Sequence, residues 1–361
     1  MLLLNNLRYY YYWISPLIVF IVLCIPLTSF FYLYDFDRGF EFSNYITAIT
    51  FFSFYQSILS AILSIIIGVV FAYLLFKHNY IYGLKLLINS LSILFVLPTI
   101  ITIFGILTFY GNFFQIYGLL GILIGHVTLN IPLVARIIFQ TLNDISPNER
   151  MLADQMNLNS WGSFIAIEWP VIKKNIPSLF VLISFICFVS FTPVLILGGG
   201  PKYSTLEVAI YHAVMFADNF NIAFNLLIVQ ILICGLIYFI FFKNFKSKNF
   251  IIDDQRSYRS INSISYKYIF DYLLLIIISV FIFSPITFIL IKGINIKLPE
   301  VLNSFYFWSS LGTTFLIGIL SGTLSIILTY GNLVFLNKNK NSTEFWFYSL
   351  IIFSPGILAV G

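Results

Sequence analysis

The sequence predicts an all-α integral membrane protein, a polytopic bundle of helices. Three observations carry that prediction. Hydrophobic residues make up 60% of the 361-residue chain and charged residues only 9%, against about 25% charged in soluble domains. Mean hydropathy is +0.97. Apolar runs of about 20 residues, the length that crosses a bilayer core as helix, recur along the chain. The net charge of +5 does not point to nucleic acid, because the basic residues stand in short loops beside apolar runs.

The runs predict spans at 13–34, 47–76, 86–109, 118–142, 176–197, 221–242, 269–291, 306–336 and 345–361. The second and eighth are long enough to tilt or to project from the bilayer. Ahead of the first, Tyr9 to Tyr12 form an aromatic cluster of the kind found in interfacial belts. That first run lacks a small-residue cleavage site, so it reads as a span and not as a signal peptide. Cys24, Cys187 and Cys234 fall inside apolar runs and read as packing residues, since their spacing fits neither a disulfide framework nor a metal site. With the N-terminus in the cytoplasm, all but four of the 19 Lys and Arg residues fall on the cytoplasmic side. The four are Arg38, Lys202, Lys292 and Lys297. The positive-inside rule therefore sets the expected orientation. The external loops hold acids instead: Asp35, Asp37, Glu41, Glu207, Asp218 and Glu300.

Two long polar interruptions break the apolar pattern. The stretch 243–268, rich in Ser, Asn and mixed charge, reads as a cytoplasmic linker. It divides the chain into a first half, 1–242, with about six membrane helices, and a second half, 269–361, with about three. An internal repeat supports the division. Aligning 53–73 with 310–330 pairs Ser53 with Ser310, Leu63 with Leu320, Ser64 with Ser321 and Tyr73 with Tyr330. The same offset carries Pro98 onto Pro355. Both copies have the same predicted orientation, as in a parallel tandem repeat. The counterpart of 151–170 would fall beyond Gly361, so the second half is expected to be incomplete, as a fragment or a truncated product.

The other interruption, 146–177, is a capped helical loop. Ser146 is placed as N-cap, Pro147 at the first helical position and Glu149 three residues after the cap, a capping-box pattern. Asn157 is a plausible stop, because Asn tolerates the left-handed conformation that ends many helices. Ser160 is the expected cap of a second short helix, which must end or bend near Pro170.

At 151–170 the sequence resembles the coupling loop of bacterial binding-protein-dependent ABC importer permeases. The pattern there is Glu-Ala-Ala, three residues, Gly, then a run ending in a hydrophobic residue and Pro. Met151, Leu152 and Ala153 stand at the Glu-Ala-Ala positions and Asn157 at the Gly. Trp161, Phe164, Ile167 and Pro170 match well, while the Glu, the first Ala and the Gly depart from the pattern. Further runs resemble the thiamine branch: 117–132, Glu168 to Pro177, Leu197-Gly-Gly-Gly-Pro201, Thr205 to Tyr211 and 298–302. Ferric-iron permeases are the nearest confusable branch.

The resemblance implies a permease subunit of the bacterial inner membrane, importing thiamine or its phosphate esters by alternating access. Its implied partners are a cytoplasmic ABC ATPase dimer, which holds ATP and Mg²⁺, and a periplasmic substrate-binding protein. The chain itself would bind no cofactor and no metal. No P-loop is present, and His78, His126 and His212 form no motif with acids or cysteines, so no enzymatic role is expected. The implied ATPase contact is made by Met151, Leu152, Ala153, Asp154, Asn157, Trp161, Phe164 and Pro170.

Six further residues are candidates for the pathway or its gate. His126 and Asn130, one turn apart on the fourth span, fit either helix-to-helix hydrogen bonds or a path lining. Gly198, Gly199 and Gly200 fit either a structural turn or an outer gate. Glu207 fits either a loop-exposed acid or a charge that attracts a cationic substrate. Asn225 and Gln230 on the sixth span divide in the same way as His126. Pro98, Pro132, Pro193 and Pro285 are expected to kink spans.

Overall fold

A computed structural model describes residues 2–35, 43–78, 81–237, 268–294 and 297–338. The expected linker up to 267, the ninth span at 345–361 and Pro355 lie outside them, as do the side chains of Tyr9 to Tyr12. The described residues fold as helices α1 (Leu2–Leu33), α2 (Asn44–Lys77), α3 (Tyr82–Val96), α4 (Thr99–Tyr110), α5 (Leu119–Asn143), α6 (Pro147–Gln155), α7 (Ser160–Ser163), α8 (Trp169–Phe188), α9 (Thr192–Leu197), α10 (Leu206–Met215), α11 (Phe220–Ile237), α12 (Tyr268–Gly293), α13 (Leu298–Leu302) and α14 (Phe305–Lys338). They contain no strand. Among the described residues, seven helices are long and apolar enough to cross a membrane. A bent pair, Leu86–Leu94 with Thr99–Tyr110, supplies an eighth candidate. The chain is thus an all-α, multi-pass membrane protein.

Pro98 does more than kink its span. It sits at a 105° break between α3 and α4. Proline removes an N–H and restricts the residue before it to extended backbone, and Leu97 has φ −59°, ψ 138°. Pro132 and Pro285 are accommodated inside continuous helices. Pro193 occupies the first turn of the short α9, where a missing N–H leaves nothing unpaired.

The helices group into two packing units, each discontinuous in sequence. One comprises, of the described residues, 47–78, 81–205 and 268–290. Its core is formed by Phe71, Leu75, Ile131, Val134, Ile138, Leu142, Ile172 and Ile183, with Leu275, Ile278 and Ile282 of α12. A smaller cluster joins Ile103 and Ile106 of α4 to Ile116 and Leu197. At Gly105 a β-carbon would stand 2.6 Å from the Pro285 carbonyl oxygen, so α4 and α12 meet there backbone to backbone. The C-terminal end of α2 is clasped by α12. Lys77 Nζ donates to Asp271 Oδ2 at 2.7 Å, and His78 Nε2 lies 3.1 Å from the same oxygen.

The other unit comprises, of the described residues, 2–35, 43–46, 206–237, 291–294 and 297–338. Ser15 Oγ on α1 donates to the Leu328 carbonyl of α14 at 2.7 Å. The rings of Tyr34 and Phe224 pack 4.3 Å apart, joining the end of α1 to α11. Asp218, at φ +46°, turns the chain between α10 and α11, and Asn219 caps α11 by accepting from the Ile222 N–H at 3.2 Å.

Candidate functional site: a capped docking segment and a buried polar junction

The capped loop forms as its residue types dictate. Ser146 Oγ accepts from the Asn148 N–H at 3.3 Å, and Pro147 occupies the first turn of α6. Asn157 adopts φ +54°. The Leu158 N–H reaches the Ala153 carbonyl at 3.1 Å and the Asn157 N–H the Asp154 carbonyl at 3.0 Å. These two bonds are the Schellman closure, which satisfies carbonyls that a helix end would leave unpaired. Asn159 caps the next helix: its Oδ1 accepts from the Gly162 N–H at 2.7 Å, and the side chain of Ser160, the expected cap, lies outside the described residues.

The helix does not end at Pro170. α7 continues into a π turn at Phe164–Glu168 and then into α8, giving one apolar stretch, Trp161–Phe188. The reason is steric. In an α-helix the proline ring collides with the carbonyl four residues back. Here the turn just before it is widened, with the Trp169 N–H bonded to the Phe164 carbonyl five residues back.

This loop presents apolar side chains outward. Met156 is 71% exposed and Trp161 68%, and Met151 and Leu152 are exposed beside them. Ala153 is buried, Phe164 half-buried, and Asp154, Asn157 and Pro170 are exposed. Trp161 is held in place: its ring stacks on Phe164 at 5.4 Å, and Phe164 meets Tyr73 of α2 edge-on at 4.8 Å. Arg150 ties α6 to the bundle. Its Nη2 donates to the Leu142 carbonyl at the end of α5, and its guanidinium lies 4.5 Å above the Phe76 ring. Burial lowers its pKa, and the charges of Glu168 and then Glu149 work against that.

Deeper in the same unit, His126 and Asn130 make helix-to-helix bonds. His126 is 2% exposed. Its Nδ1 lies 3.1 Å from Ser60 Oγ on α2 and its Nε2 2.9 Å from Ser190 Oγ, in the short gap between α8 and α9. Asn130 Nδ2 donates to Cys187 Sγ at 3.2 Å, and Gln56 Nε2 donates to the Cys187 carbonyl at 2.9 Å. Sequence reasoning found the two α5 residues and missed Gln56, Ser60 and Ser190. The signal was present: Ser53, Gln56, Ser57, Ser60 and Ser64 recur at helical spacing, and all five are buried.

The three glycines form a turn. Gly199 and Gly200 have φ +70° and +131°, the region L side chains rarely adopt. A β-carbon on Gly199 would also stand 2.9 Å from the Tyr117 side chain. Glu207 overturns the loop-exposed reading. It lies in the first turn of α10, 2% exposed, and its Oε1 accepts from Gln230 Nε2 of α11 at 2.6 Å. Asn225, on the same helix as Gln230, is buried as well.

Fold and site together define a polytopic all-α membrane protein with an exposed apolar loop leading into one candidate span and buried polar junctions between helices. Its sequence is similar to those of several proteins named as thiamine transport permeases. It is 34% identical over 336 residues to the thiamine transport system permease protein ThiP of Haemophilus influenzae, covering 87% of this chain and 61% of that protein. It is 32% identical to ThiP of Escherichia coli over 304 residues, 79% of this chain and 56% of that one. For ThiP of Salmonella typhimurium the identity is 30% over 301 residues, with the same coverage. The chain thus spans between half and two thirds of the length of these relatives. No family model matches it.

Proposed function

We propose that this chain is permease sequence of an ABC importer for thiamine or its phosphate esters, in the bacterial inner membrane with its N-terminus in the cytoplasm. The observation that carries the reading is the docking segment. A capped, closed helix fixed by Arg150 exposes Met151 and Leu152, its C-cap Met156 is exposed beside them, and Trp161 is exposed at the start of the next apolar stretch. Exposed apolar side chains clustered at and beyond the end of a candidate span support a protein-binding surface. The partner is a cytoplasmic ABC ATPase, which binds ATP and Mg²⁺ and works as a dimer. A periplasmic binding protein delivers the cargo. Closure of the ATPase dimer moves the segment, and the helices behind it alternate access to a path through the bundle. Glu207 is assigned to the route of the cationic cargo, because a carboxylate is expensive to bury and this one is buried with an amide partner. Gly199 and Gly200 are assigned to an outer turn.

The experiment pairs uptake with association. Expressed with its ATPase and binding protein in a strain lacking a thiamine permease, the permease restores thiamine uptake. Met156→Asp and Trp161→Ala abolish both uptake and co-purification of the ATPase. Restoration of iron uptake alone would overturn the thiamine assignment. Retention of the ATPase by both variants would overturn the docking assignment.

A further inference from the structure

Trp161 of the docking segment and the His126 junction stand at the two ends of one uninterrupted piece of helix. The 28 residues of Trp161–Phe188 extend about 42 Å at 1.5 Å per residue. At one end Trp161 and Ile165 are exposed. At the other, Cys187 and Phe188 are buried and the helix stops. A helix end leaves carbonyls unpaired, and lipid offers them nothing. Here side chains replace solvent. Gln56 of α2 takes the Cys187 carbonyl, Asn130 of α5 takes its Sγ, and His126 spans from Ser60 to Ser190. A neutral imidazole donates from one nitrogen and accepts at the other, so it joins two hydroxyls on opposite sides at a fixed separation.

We infer that His126 is a positioning residue, clamped between Ser60 and Ser190, which fixes the far end of the α7–α8 rod so that displacement of the docking segment moves α2, α5 and the α8–α9 joint as one body. The inference rests on the docking reading above and adds to it where the movement is delivered. α9 is seated for the same purpose. A β-carbon on Gly125, one residue before His126, would lie 3.0 Å from Leu197 Cδ1 and 3.6 Å from Pro193 Cβ, so α5 and α9 are in close contact beside the clamp.

Cys187 is a built-in reporter, buried and held at both its thiol and its carbonyl. With Cys24→Ala and Cys234→Ala it becomes the chain's single thiol. Membranes containing this parent and its ATPase are treated with N-ethylmaleimide, with and without ATP and vanadate. The parent labels slowly, and trapping the nucleotide changes the rate. His126→Ala, which loses both of its buried hydrogen bonds, labels about tenfold faster or more, and no longer responds to nucleotide although the ATPase still co-purifies. Ser190→Ala, which removes one bond and little volume, shows the same loss of response while it still folds and retains the ATPase. If both variants label and respond as the parent does, His126 positions nothing. If the parent itself fails to retain the ATPase, the docking reading falls and the inference with it.

Discussion

Gly68 on α2 lies so close to Val134 on α5 that a β-carbon at position 68 would stand 2.7 Å from Val134 Cβ. The two long helices of this unit therefore meet where one has no side chain. Overpacking of a close contact costs about 1–3 kcal/mol. Gly68→Ala is expected to lower the unfolding temperature of the detergent-solubilised protein. Gly312→Ala on α14, where a β-carbon meets nothing within 4 Å, leaves it unchanged or raises it, because alanine favours helix. Equal melting of the two variants would contradict the close approach.

Asn157 closes α6 from the left-handed region at φ +54°. Asn157→Gly keeps that conformation at little cost. Asn157→Ala loses about 1 kcal/mol and frays the last turn. Hydrogen exchange at Leu158, whose N–H bonds to the Ala153 carbonyl, reads the difference directly: faster in the alanine variant, unchanged in the glycine variant.

The Asp271 clasp makes stability depend on pH, with a definite sign. His78 is almost fully buried, and burial pulls its pKa below the ordinary 6.5, against the pull of its hydrogen bond to Asp271. Its folded pKa is thus lower than its unfolded one. The associated stability is present above about pH 6.5 and is lost as pH falls through the folded value. Asp271→Asn removes the partner that raises the pKa, so the loss becomes larger while its onset stays near 6.5. Melting temperatures between pH 5 and 8 test this. An Asp271→Asn protein less sensitive to acid than the parent would refute it.

The ends of α6 were legible in the sequence because they are local. Ser146 with Pro147 and Asn157 with Leu158 make their bonds within a few residues of themselves. The outcome at Pro170 was not legible, since the proline rule assumes an α-helix and the π turn relieves the collision that rule describes. Glu207 follows a Gly-Gly-Gly-Pro turn and reads locally as loop; only the packing of α10 on α11 buries it beside Gln230. His126 was visible as a polar residue at membrane depth. Its partners were not, because Ser60 lies 66 residues away and Ser190 64, and pairing at that separation is a property of tertiary structure.

The π turn at Phe164–Glu168 also sets a phase. An α-helix advances about 100° per residue, and one turn carrying an extra residue throws everything before it out of step with everything after. Trp161 therefore points where an unbroken α-helix through Cys187 would not have aimed it. Deleting a single residue between Ile165 and Glu168 would keep Met151, Leu152, Met156 and Trp161 and swing them by about 100° around the helix axis relative to α8. A sequence change that touches none of these four side chains is thus enough to change what they face.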